Sequence, residues 1–234
     1  MSTSARPEPE FGRRTLHFFF MLDCSGSMQG AKIAALNTAC ETAIPAMREV
    51  AAKNPEAQVL VRVITFSDNA QWAVLPTDLN DFKWKDLTAD GVTDMGKALE
   101  MVAEELKPEK LGKRLLKPVI VLASDGQPTD NFDRGLKALM DQTLGKKAIC
   151  MAIAIGDDAD EDVLKKFIGN PEIKLLKSDN SADLVNKIHW MTTMSLGVAS
   201  RPRSEVKQDG TGSAGTPIPA PPADTSAGGN GVMF

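Results

Sequence analysis

Residues 15–28 read TLHFFFMLDCSGSM, and the change of character at Asp23 decides the fold. From Phe18 to Leu22 every position is apolar. That is the pattern of a central strand covered on both faces in a parallel sheet, not of a half-exposed strand. Asp23 ends the run, and Asp23, Ser25 and Ser27 then place a carboxylate and two hydroxyls at alternate positions. Alternate residues of an extended segment point the same way, and Gly26 and Gly30 allow the chain to turn tightly around them.

Working outward, residues 58–66 (QVLVRVITF), 118–123 (PVIVLA) and 148–155 (AICMAIAI) repeat the theme of a continuous apolar strand. Residues 70–75 alternate and follow a turn at 67–69, so they are expected to form an antiparallel edge arm. A short strand is expected at 173–176. Helices are expected from 31 to about 53, where Ile33, Leu36, Cys40, Ile44 and Met47 recur at three-to-four spacing, and Pro45 should kink or split that helix. Further helices are expected at 95–106, from Asp130 (as its cap) to about 144, at 161–168, and from 181 to about 196. Residues 81–88 are mixed, with Phe82, Trp84 and Leu87 packing; Trp72 and Trp190 read as packing residues too.

Strands alternating with helices specify an α/β fold, a mostly parallel sheet with helices on both faces. Ligands of such sheets bind beyond the carboxyl ends of the strands. DCSGSM (23–28) and SDGQPTD (124–130) both occupy such ends.

The chain has 234 residues, 42% hydrophobic and 25% charged, enough for one large domain. A formal charge of −4 argues against a nucleic-acid partner. Cys24, Cys40 and Cys150 lack metal or disulfide spacing and read as reduced thiols, which points to a cytoplasmic protein. Arg13-Arg14 precedes too short an apolar run for an export signal, and no segment approaches a membrane span. Residues 1–12 are expected to be a flexible leader, 13–200 the folded domain, and 201–234, rich in Gly, Pro, Ser and Ala, a disordered tail.

Three oxygen-rich loops share the carboxyl edge: Asp23-x-Ser25-x-Ser27, Thr93 in DGVTDMG, and Asp125 in SDG. Two carboxylates and three hydroxyls are hard donors suited to Mg²⁺. Sulfur and imidazole are missing from these loops, and His17 and His189 lie elsewhere. Asp94 and Asp130 read as supporting or capping residues. If neutral hydroxyls bind the ion directly, it keeps electrophilic character for an anionic oxygen from another molecule. No His, Lys or Glu base stands beside the cluster and no P-loop occurs, so a binding module is favoured over a metal-assisted hydrolase. Lys107, Lys110, Lys113, Arg114 and Lys117 form a basic stretch read as a solvated connector, with docking of an acidic partner as the alternative.

D-x-S-G-S after a buried strand, a later Thr93, and SDGQPTD after another strand resemble the metal-ion-dependent adhesion site of von Willebrand factor type A domains. The likeness covers roughly residues 13–200. It implies a Rossmann-like three-layer sandwich around a six-stranded, mostly parallel sheet with one antiparallel edge strand. It also implies Mg²⁺, or Mn²⁺ or Ca²⁺, at Asp23, Ser25, Ser27, Thr93 and Asp125, and a protein partner whose Asp or Glu bridges to the metal. DCSGSM, VRVITFSDNA and LASDGQPTD further resemble the bacterial TerY-like subfamily. That resemblance implies an adaptor in tellurite or stress resistance, working beside a Ser/Thr kinase and a PP2C-type phosphatase. Service to an AAA+ ATPase is the alternative.

Overall fold

Successive phenylalanines of the first strand enter different cores. A computed structural model of the chain describes residues 13–200, together with Pro221 and Met233. The expected leader and tail otherwise fall outside the described residues. Strand β1 (Arg14–Asp23) sends Leu16, Phe18, Phe20 and Leu22 to one side and Phe19 and Met21 to the other, all buried. Each buried aromatic contributes roughly 1.5–3 kcal/mol relative to exposure.

The first core is closed by α1 (Ala31–Ala52) and α6 (Ser181–Ser200). The second is closed by α2 (Met95–Glu105), α4 (Phe132–Asp141) and α5 (Glu161–Ile168), with Leu111 of the short α3 (Pro108–Leu111) beneath them. Between these layers lie β1, β2 (Ala57–Phe66), β3 (Ala70–Asp78), β4 (Val119–Ser124), β5 (Ile149–Ile155) and β6 (Leu176–Ser178), in the order β3-β2-β1-β4-β5-β6. All neighbours are parallel except β3, which pairs antiparallel with β2 through a register shift. The three-layer α/β architecture with one antiparallel edge strand is as the sequence indicates.

Four local expectations change. Helix α1 runs through Pro45 without being split; Pro45 and Glu41 are exposed, so the carbonyl left without a donor faces water. Strand β6 forms at Leu176–Ser178 rather than 173–176, where it meets Ile153 to Ile155 of β5. Helix α3 was not anticipated. Asp130 caps α2 instead of the helix that follows it: its carboxylate accepts from the Gly96 and Lys97 N–H groups, both at 2.8 Å, while Asn131 caps α4 by accepting from Arg134 N–H at 3.0 Å.

The β3–α2 connector is strapped across α1. Asn37 donates to the Leu87 carbonyl at 2.9 Å and accepts from Leu87 N–H at 2.8 Å and from Trp84 Nε1 at 3.3 Å. Arg48 donates to the Leu79 and Phe82 carbonyls at 2.9 and 2.6 Å. Trp84 packs edge-on against Phe20 and Phe82, and Trp72 packs against Phe19. These contacts deliver the connector to the carboxyl edge.

Candidate metal centre

β1 and β4 are sheet neighbours and end together, Leu22 opposite Ala123. Their parallel pairing places Asp23 beside Ser124 and Asp125 without any further device. Asp23 is 0% exposed and Asp125 1%. Neither forms an ion pair with a Lys or Arg among the described residues. Burial of uncompensated carboxylates is costly. Accordingly the Asp23 carboxyl is pushed up to about 6, chiefly by burial; hydrogen bonds from Ser124 and Ser25 oppose the shift and the Asp125 charge adds to it.

The first loop folds over Asp23. Ser25 N–H donates to its Oδ1 at 2.8 Å, and the Ser25 and Ser27 hydroxyls lie 3.0 Å apart. Ser25 is buried and Ser27 exposed, so the group of oxygens opens toward solvent at Ser27. A 3-10 turn, Gly26–Met28, drives Met28 into the first core and fixes the loop from below.

Thr93 comes from the α2 side. Its loop is tied to the first by backbone bonds from Asp90 N–H to the Cys24 carbonyl (2.8 Å) and from Gly26 N–H to the Gly91 carbonyl (2.9 Å). Gly91 has φ of +81°, which strains any other residue, and an added Cβ, 2.3 Å from Asp68 Oδ1, would displace the Asp68 carboxylate. Asp68 in turn accepts from Val92 N–H at 2.9 Å. The loop after β4 completes the ring. Thr93 N–H donates to Thr129 Oγ1 at 3.0 Å, and Thr129 N–H donates to the Thr93 carbonyl at 2.9 Å. The structure thus gathers the loops of Asp23, Ser25, Ser27, Thr93 and Asp125 at one edge of the sheet.

Three supporting residues were not foreseen. Ser124 donates to Asp23 Oδ2 at 2.5 Å and accepts from Gly126 N–H at 2.8 Å; its place before Asp125 was the only signal. Thr129 and Asp68 act across the sheet edge, and sequence spacing carries no sign of that. Asp94, expected to support or cap, is a buried partner of Lys97 at 2.5 Å and makes no side-chain cap to α2. Cys24 is a buried thiol pushed up to about 12 by burial and then by Asp23, a packed group rather than a reactive one.

Among the described residues no three His, Cys, Asp or Glu side chains gather as a metal-binding group. A cation held here would therefore rely on hydroxyls and water beside two carboxylates, which suits a hard divalent ion. His17 lies in the first half of β1, away from this edge, and His189 lies in α6.

Residues 18–127 match the sequence profile of the von Willebrand factor type A domain. Human inter-alpha-trypsin inhibitor heavy chain H6 is 28% identical over 164 residues, which are 63% of this chain and 12% of the relative. Among solved structures, a von Willebrand factor type A protein from Catenulispora acidiphila superposes with a TM-score of 0.60 at 18% identity, over 80% of this chain and 43% of the other. The ArnB paralog VWA2 from Sulfolobus acidocaldarius gives 0.56 at 19% identity, over 75% and 44%. Proximal thread matrix protein 1 of the mussel byssus, solved with a zinc-occupied MIDAS motif, gives 0.56 at 14%, over 80% and 46%. The chain thus spans 12% of the human relative and less than half of each of these solved chains. The profile covers just under half of the chain, and the solved structures share its fold.

Proposed function

We propose that the chain is a von Willebrand factor type A domain and serves as a protein-interaction module. Its carboxyl-edge site, Asp23, Ser25, Ser27, Thr93 and Asp125, holds a divalent cation and captures an acidic side chain of a protein partner. One observation carries the reading: two buried carboxylates at neighbouring strand ends form no ion pair among the described residues, and the hydroxyls beside Asp23 open to solvent at Ser27. Mg²⁺ fits the donor set best, with Mn²⁺ or Ca²⁺ as substitutes. The mussel protein of like fold, solved with a zinc-occupied MIDAS motif, lends support to a divalent ion.

The bound ion would supply an electrophilic centre for a carboxylate. The chain does the rest. Ser124 and Ser25 N–H orient Asp23, Thr129 fixes the backbone of Thr93, and Asp68 and Gly91 hold the connector against the first loop. A metal-assisted hydrolase has less support, because neither histidine reaches this edge and Lys97 there is engaged by Asp94. No helix among the described residues is long and apolar enough to cross a membrane. For the biological setting we extend the proposal to a cytoplasmic bacterial stress-response adaptor of TerY-like type, with a kinase and phosphatase or an AAA+ ATPase as partner. The motif likeness of residues 23–28, 61–70 and 122–130 supports it.

Mg²⁺ titration followed by calorimetry and thermal melting tests the site. The wild type should gain stability with Mg²⁺, and Asp125→Asn should gain none while melting cooperatively in EDTA. Absence of any cation-dependent stabilisation in the wild type would remove the basis of the proposal.

A further inference from the structure

The opposite pole of the sheet carries a second charged feature. Connectors 112–118 and 142–148 lead into β4 and β5, which pair in parallel with Val119 opposite Ile149. The two connectors therefore meet where they join the strands, with Ile149 N–H donating to the Pro118 carbonyl at 2.8 Å, on the order of 20 Å from the metal edge. Between them they carry Lys113, Arg114, Lys117, Lys146 and Lys147 and no acidic residue. All five are exposed, and none forms an ion pair among the described residues. Lys107 and Lys110, by contrast, are engaged by Glu104 and Glu105. On the helix ends leading into the connectors, Asp141 pairs with Lys137, which leaves Glu109 as the one acid there without an ion pair among the described residues.

The backbone under these cations is fixed. Thr15 N–H donates to the Arg114 carbonyl at 2.8 Å and Leu116 N–H to the Thr15 carbonyl at 2.9 Å. Lys146 N–H donates to the Gln142 carbonyl, Lys147 N–H to that of Leu144, and Ile149 N–H to that of Pro118. Gly145 is folded so tightly that a Cβ would meet the Leu139 carbonyl oxygen at 1.9 Å. A chain of net charge −4 thus holds five cations without an ion pair among the described residues on a preformed frame, which lowers the ordering cost of binding.

We propose that this pole docks an acidic polypeptide segment, independently of the metal edge. Charge complementarity sets the sign of the partner, and the surroundings narrow its class. Neither connector holds an aromatic residue, and the exposed large apolar side chains among the described residues, Leu75, Val92 and Met233, all lie elsewhere. Single-stranded nucleic acid therefore finds no stacking platform and a bilayer finds no apolar anchor. Four of the five cations are lysines, compact point charges rather than the planar forks favoured for phosphate recognition.

The test is fluorescence anisotropy of a labelled decaglutamate peptide with the full chain, run in EDTA so that the metal edge contributes nothing. Lys146→Glu/Lys147→Glu is compared with Lys83→Glu/Lys85→Glu, an equal charge change on exposed lysines of the β3–α2 connector. Binding should weaken with added salt, fall about tenfold or more in the first variant, and change less than about twofold in the second. Equal melting temperatures would show that both variants fold. Absence of binding, or equal loss in both variants, overturns the proposal. So does tighter binding of duplex DNA or phosphatidylserine vesicles through Lys146 and Lys147, which would assign the pole to another class of partner.

Discussion

Arg62 Nη1 lies 2.6 Å from Nδ1 of His17, with both side chains buried between β1, β2 and α2. The guanidinium stacks over Phe19 at 5.1 Å and faces Glu105 at 3.8 Å. An arginine can only donate, so Nδ1 must accept and the imidazole must be neutral. Burial, and then the Arg62 charge, hold the His17 pKa down at about 4, although the nearby Leu111 backbone opposes the shift.

This arrangement predicts acid sensitivity of a definite sign. The unfolded chain binds its proton near pH 6.5 and the folded one near 4, so the stability from neutral His17 is complete above about 6.5 and is lost as pH falls toward 4. The loss should be on the order of 3 kcal/mol. Denaturant melts of wild type and His17→Gln across this range check it. The variant should show a distinctly flatter profile, and parallel profiles would refute the assignment.

Asp130→Ala should uncap α2, not α4, because its two oxygens serve Gly96 and Lys97. A cost of about 1 kcal/mol is expected. Amide exchange should accelerate at Gly96 and Lys97 while Arg134, capped by Asn131, stays protected. Asn131→Ala should give the reverse pattern.

Helices α2 and α4 touch through Gly96 and Gly135. A Cβ on Gly135 would lie 2.3 Å from the Gly96 carbonyl oxygen, and one on Gly96 would lie 2.5 Å from that of Asn131. Backbone cannot move aside as a flexible side chain can. Gly135→Ala should therefore destabilise the fold by roughly 2 kcal/mol or more by chemical denaturation, whereas Gly30→Ala, with open space around it but φ of +75°, should cost less.

Ser124→Ala removes the donor to Asp23 and the acceptor of Gly126 N–H together. A stability loss of about 1–3 kcal/mol is expected without added metal. Ser124→Thr, which keeps the hydroxyl, should recover most of it. Equal loss in both variants would show that packing, not the hydroxyl, matters at this position.

What the sequence made legible follows from the range of the forces involved. The runs at 18–22 and 119–123 announce themselves because a parallel strand covered on both faces has no polar position to spare. Two of the oxygen-rich loops, 23–28 and 124–130, were placed at one edge because each follows such a run; the Thr93 loop follows the mixed stretch 81–88 and was joined to them by its motif. Short-range signals failed where two solutions compete locally. Residues 173–178 (IKLLKS) offer two overlapping stretches, and pairing with Ile153 to Ile155 selects the second. Asp130 looked like a cap for its own helix, yet its carboxylate serves one 33 residues earlier in the chain. The neighbourhood of Lys117 and Lys147 likewise exists only through the order of the strands.

The ring of loops is closed largely through main-chain atoms: the Cys24 carbonyl, Gly26 N–H, the Gly91 carbonyl and both peptide groups of Thr93. Of the side chains, Thr129 and Asp68 add to that closure by accepting from main-chain N–H groups, whereas Val92, 48% exposed, projects from the rim. Recognition and architecture are thereby separated. Rim residues such as Val92 and Gln29 can be exchanged to suit a new partner while the oxygen cluster beneath them keeps its shape.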